Sequence, residues 1–79
     1  MTKEEFINSG RFIYYESFLK KVPNVTLHPD CTDVVEYANG LYIQVLKSGV
    51  FYLDTNIYSK SLDEVEDSLW DIELNKNKN

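Results

Sequence analysis

Between Asp33 and Tyr58 the chain alternates β-rich runs with two short turn signals, and this stretch constrains the fold more than any other. The first signal is Asn39-Gly40, set between Asp33–Ala38 and Leu41–Leu46. Both central residues of a type I′ turn need positive φ, so Asn-Gly in this setting predicts a tight hairpin. The second is Lys47-Ser48-Gly49, which leads into a strand from Val50 to about Tyr58. A two-residue turn at Ser48-Gly49 would set Asp54 and Asn56 on the face of Leu41 and Ile43. A three-residue loop closed by a left-handed glycine instead pairs Leu46 with Val50, Val45 with Phe51, Ile43 with Leu53 and Leu41 with Thr55. That register gathers Val34, Ala38, Leu41, Ile43, Val45, Phe51, Leu53 and Ile57 on one face, with only Glu36 out of place. A one-residue slip would scatter this set, so the three-residue loop is the better reading. The opposite face then carries Val35, Tyr37, Tyr42, Gln44, Leu46, Val50, Tyr52 and Asp54, with Tyr37 directly opposite Tyr42.

Helices are expected on either side of this meander. Thr2-Lys3-Glu4-Glu5 has the capping-box spacing and predicts a helix to about Lys21, stopped by Pro23. Ile7, Phe12, Tyr15, Phe18, Leu19 and Val22 form its broad apolar stripe, and Ser9-Gly10 offers a break into two helices. Pro23 to Thr32 reads as connection, with Val25-Thr26-Leu27 able to form a short edge strand. Ser61-Leu62-Asp63-Glu64 is a second capping box, opening a helix to about Leu74 whose stripe is Leu62, Val65, Leu69 and Ile72. The expected fold is a two-layer α+β domain over residues 1–74, α-β-β-β-α, with both helices on one sheet face and 75–79 a disordered tail.

Composition sets the functional classes. A chain of 79 residues is one domain and buries only roughly 60% of its unfolded surface. Eight bases against thirteen acids leave a net charge of −5, which disfavours direct binding to nucleic acid or an anionic membrane. Cys31 is the single cysteine, so no disulfide framework is expected. The start MTKEEF lacks the pattern of a signal peptide, and no apolar run approaches the ~20 residues of a membrane span, so a cytoplasmic protein is expected.

Two surfaces stand out. Asp63, Asp67 and Asp71 recur every four residues with Glu64 beside them, opposite the apolar stripe, and no Lys or Arg lies between Leu62 and Leu74. Carboxylates so spaced stand about 6 Å apart, near the spacing of phosphates on a nucleic-acid strand. The bland reading is a solvated helix face whose first acids favour the helix N-terminus; it accounts for Asp63 and Glu64 but not for Asp71, two turns on. The second surface is Tyr37, Tyr42, Tyr52 and Asp54 on the open sheet face, where tyrosine offers rigid area with a polar tip. Its bland reading is cross-strand pairing by a good strand former.

Glu66 and Glu73 border the stripe within reach of Lys20 or Lys21, and Trp70 is expected at the rim of the core. His28 and Cys31 are too few for a zinc site and lack the orienting group of a nucleophilic pair, so no metal, cofactor or enzymatic activity is expected. The overall profile resembles the small acidic inhibitors that phages make against host defence or DNA-handling enzymes. That resemblance implies a non-enzymatic protein that occludes or mimics a nucleic-acid site on a larger partner with a basic groove. The alternative is an assembly domain that homodimerises through its tyrosine-rich sheet face.

Overall fold

The computed structural model describes residues 1–76 and is a small α+β domain built on a five-stranded antiparallel sheet. Its elements are α1 (Lys3–Asn8), β1 (Arg11–Tyr14), α2 (Tyr15–Lys21), β2 (Cys31–Glu36), β3 (Tyr42–Leu46), β4 (Phe51–Leu53), β5 (Ile57–Ser59) and α3 (Leu62–Lys76). The strands lie in sequence order, β1-β2-β3-β4-β5.

The N-terminal segment is not one helix. The capping box forms as expected: the Glu5 N–H donates to the Thr2 hydroxyl at 3.1 Å and the Thr2 N–H to the Glu5 carboxylate at 2.9 Å. The helix then ends at Asn8, and Arg11-Phe12-Ile13-Tyr14 pairs antiparallel with β2. Aromatic and β-branched residues favour a pleated surface, and the unpaired edge of β2 supplies one. The chain leaves β1 into α2, which stops before Pro23 as its ring requires. With β1 on that edge, Val25 and Leu27 form no strand; they pack as coil against the sheet.

The Lys47-Ser48-Gly49 loop has its expected geometry. Gly49 takes φ +83°, the Leu46 N–H donates to the Val50 carbonyl at 2.8 Å, and Val45 faces Phe51. The following segment is two strands rather than one. Asp54-Thr55-Asn56 turns the chain, with Asn56 at φ 64°, so that Leu53 pairs with Ile57. Asp and Asn accept such turn geometry readily.

The first hairpin differs by one residue. Asn39 and Gly40 do take positive φ, 65° and 78°, but Ala38 joins them in the loop. The Tyr37 N–H donates to the Leu41 carbonyl at 2.8 Å, and Glu36, not Tyr37, stands opposite Tyr42. That shift turns β2 over: Val35 and Tyr37 enter the main core with Phe6, Ile43, Leu53, Val65 and Leu69. Val34 goes to the other face, where it packs with Phe18, Cys31 and Leu46.

The helices therefore do not share a face. α1 and α3 cover the main core, while α2 packs on β1 and β2 from the opposite side. α3 runs two residues past the expected end at Leu74, to Lys76; the remainder of the expected tail, 77–79, lies outside the described residues.

Candidate functional site

α3 is positioned by its inward side. Val65 and Leu69 are buried, Leu62 and Ile72 pack beside them, and Trp70 meets Phe6 at 5.3 Å between ring centroids. Its start is closed by a relay: the Ser61 N–H donates to the Ser59 hydroxyl at 3.0 Å, which donates to the Glu64 carboxylate at 2.7 Å. The Glu64 carboxylate thus reaches the helix entrance through Ser59.

On the outward side Asp63, Glu64, Asp67 and Asp71 are all exposed. The fold also brings one cation to this row that linear spacing does not show. Lys3 of α1 donates to the Asp67 carboxylate, and that contact, with Asp71 and Glu66 nearby, raises the Lys3 pKa. α1 packs on α3, and its first turn also carries the exposed acids Glu4 and Glu5.

Glu66 and Glu73 do not meet Lys20 or Lys21, because α2 carries those lysines to the far face; Lys21 pairs with Glu36 at 2.7 Å instead. Both glutamates turn inward. The Tyr37 hydroxyl donates to Glu66 at 2.5 Å, and the Asn39 side-chain amide donates to Glu73 at 2.7 Å. These bonds tie the tip of the first hairpin to α3. Burial and the Glu66 contact hold the Tyr37 phenol well above its ordinary pKa.

The expected tyrosine surface is divided. Tyr37 is 3% exposed and lies under α3, on the opposite side of the sheet from Tyr42 and Tyr52. Tyr42 packs against Phe18 of α2 at 4.8 Å and donates to Asp54 at 2.8 Å. Asp54 also accepts from the Gln44 amide at 2.9 Å, while the Gln44 carbonyl accepts from the His28 N–H at 2.6 Å. This network satisfies Gln44, which is 1% exposed, and burial with the Asp54 bond raises the Tyr42 pKa. Tyr52 joins Tyr58 at 4.6 Å and His28 at 5.4 Å. Tyr42, Tyr52 and Asp54 are thus brought together, Tyr37 is excluded, and Tyr58 is a member that sequence reasoning misses. The turn residues Asp54-Thr55-Asn56 are the available signal for it, since they fold β5 back beside β4.

A cleft of about 180 Å³ lies between β3, β4 and α3, lined by Leu41, Leu53, Leu69 and Ile72, with Asp54 and Thr55 at its border. His28 and Cys31 serve a turn: the His28 ring nitrogen accepts from the Asp30 N–H at 3.0 Å, and the Cys31 thiol donates to the Asp33 carbonyl at 3.2 Å. Burial pushes the Cys31 thiol pKa up, away from the thiolate that nucleophilic chemistry needs. Among the described residues no three His, Cys, Asp or Glu side chains cluster as a metal site, and no helix is long and apolar enough to cross a membrane. No known protein family matches the chain, and neither a curated protein nor a solved structure is significantly similar to it.

Proposed function

We propose that this chain is a non-enzymatic binding protein that covers a basic, nucleic-acid-binding groove on a larger partner, in the manner of phage-type inhibitors of host defence or nucleic-acid-processing enzymes. One observation carries the reading. Asp63, Asp67 and Asp71 stand exposed along one side of a helix whose other side is anchored in the core, so the row is held straight and pre-positioned. A rigid row of carboxylates loses little conformational freedom on binding, and rise along a helix spaces them about 6 Å apart. The net charge of −5 adds long-range attraction to a basic groove. The alternative, homodimerisation through the tyrosine face, draws less support, since Tyr37 is buried and Tyr42 leans on Phe18.

The test is charge reversal. Asp63→Lys with Asp67→Lys and Asp71→Lys changes the net charge by +6, from −5 to +1, without touching the Leu62, Val65, Leu69, Ile72 stripe. The partner is captured from lysate of the native cells with the parent protein and the triple variant side by side. A partner that the parent retains, the variant loses and duplex or single-stranded nucleic acid elutes is the expected result. Binding should also weaken with salt, as the screening length falls from about 10 Å at 0.1 M to about 3 Å at 1 M. Undiminished retention by the triple variant refutes the acidic-helix mechanism.

A further inference from the structure

On the α2 side of the sheet Asp54 is an exposed carboxylate held in place by two neutral donors. The Tyr42 hydroxyl donates to one oxygen at 2.8 Å, and the Gln44 side-chain amide donates to the other at 2.9 Å. Gln44 is itself fixed, since it is 1% exposed and its carbonyl accepts from the His28 N–H. Neither donor carries a charge, so the charge of Asp54 is oriented but not neutralised. The ion pairs among the described residues, Lys3 with Asp67 and Lys21 with Glu36, do not involve it. An ionised carboxyl group offers about four acceptor positions, so each Asp54 oxygen keeps one for a further donor. Aromatic rings adjoin it. Tyr52 is paired with Gln44 across the strands, and Gln44 donates to Asp54, which sets the Tyr52 ring and the carboxylate side by side. Tyr58 lies 4.6 Å from Tyr52 and is 51% exposed, and the His28 ring meets both edge-on.

We propose that Asp54, with the Tyr52 ring beside it, is a binding site for an arginine side chain presented by a protein or peptide partner. Charge complementarity selects this occupant. An apolar partner laid here would bury the Asp54 charge without a counter-charge, which is costly. A phosphate would be repelled by the same charge. A second copy seated on this face about a two-fold axis would bring another Asp54 and no cation. A lysine ammonium would answer the charge, but it is a compact, strongly hydrated point with no plane to lay against a ring. A guanidinium is planar and weakly hydrated; its fork donates two N–H groups to one carboxylate, and its plane stacks on an aromatic face. Tyr42 and Gln44 already hold the carboxylate in place, so binding costs little side-chain freedom there. Tyr42, Tyr52 and Gln44 lie on the opposite face of the sheet from α3, so this site goes beyond the acidic-helix reading and is separate from it.

Nitrogen–proton correlation spectra of the full chain test this, with a blocked Gly-Arg-Gly tripeptide as the probe and its Gly-Lys-Gly counterpart as the control. The arginine peptide should shift the backbone amides of Tyr52 and Asp54 and the Gln44 side-chain amide, saturably and in parallel. The lysine peptide should bind at these positions about tenfold more weakly. Asp54→Asn keeps the shape and one acceptor oxygen but removes the charge, and it should weaken the arginine peptide about tenfold. If that variant fails to fold, the ratio of arginine to lysine affinity in the parent protein decides alone. The absence of a saturable shift at Tyr52 and Asp54, shifts confined to Asp63, Asp67 and Asp71, equal affinity for the two peptides, or full affinity in a folded Asp54→Asn each overturns the proposal. The charge reversal on α3 is read on the other face of the sheet, so neither test decides the other.

Discussion

Tyr37 is the residue on which the main core turns. Its ring stacks on Phe6 at 5.2 Å and 15°, its hydroxyl donates to Glu66 of α3, and its N–H closes the first hairpin on Leu41. Gly10 shows how tightly it is held: a Cβ there would stand 2.6 Å from the Tyr37 ring. Removing the hydroxyl strands a buried carboxylate without its donor, so Tyr37→Phe should cost about 1–3 kcal/mol at neutral pH. The same contact shapes the alkaline limb. In the folded chain the Tyr37 phenol keeps its proton above the ordinary value of 10.0, and Tyr42 shifts in the same direction. The unfolded chain then releases protons that the folded chain retains, so this stabilisation is complete below pH 10 and is lost progressively above it. Urea unfolding at neutral and alkaline pH should show stability falling above pH 10 in the parent and falling less steeply in Tyr37→Phe. Equal neutral stability of the two proteins would show that the Glu66 bond contributes nothing.

At the scale of elements, loop length decides which side chains share a face, and it is only partly legible in the sequence. Lys47-Ser48-Gly49 reads correctly because two registers can be compared by their apolar patterns, and one is clearly better. For Asn39-Gly40 the dipeptide itself suggests a two-residue turn, and Ala38 carries no signal that it belongs to the loop. The misfit is visible nonetheless. Glu36 stands alone among apolar residues in the expected register, and in the structure it sits on the other face, paired with Lys21. β1 is hidden for a different reason. Phe12, Tyr15, Phe18 and Leu19 keep helical spacing across a segment that is strand up to Tyr14 and helix from Tyr15, so the period is borrowed from two elements. Asp63, Glu64, Asp67 and Asp71, by contrast, follow from the phase of one uninterrupted helix, and their exposure is readable directly. Gly49 offers the sharpest check on the correctly read loop. At φ +83° it has open space where an added methyl group would stand, so Gly49→Ala should cost about 1 kcal/mol through backbone conformation alone. A urea midpoint unchanged within error would show that the loop adapts without strain.

At the scale of the molecule, helices lie on both faces of the sheet, which holds two separate cores. Phe6, Val65 and Leu69 fill one beneath α1 and α3; Phe18, Val34 and Leu46 fill the other beneath α2. Neither is large, because a chain of 79 residues has little apolar surface to divide. The central strands contribute to both faces through alternate residues, Val34 to one and Val35 to the other. Loss of either core thus exposes one side of the same strand, and the two cores should melt together. Phe6 and Phe18 are each fully buried, and Phe→Ala at such a position costs about 3–5 kcal/mol. That is a large share of the roughly 5–15 kcal/mol that holds a domain together. Phe6→Ala and Phe18→Ala should therefore each lower the urea midpoint of a single cooperative transition, followed in parallel by circular dichroism and by Trp70 fluorescence. Trp70 lies against Phe6, in the first core only. If α2 and its core were an independent accessory layer, Phe18→Ala would leave the fluorescence transition in place while shifting the dichroism. Coincident shifts in both signals are expected, because β2 gives its two faces to the two cores and cannot lose one without the other.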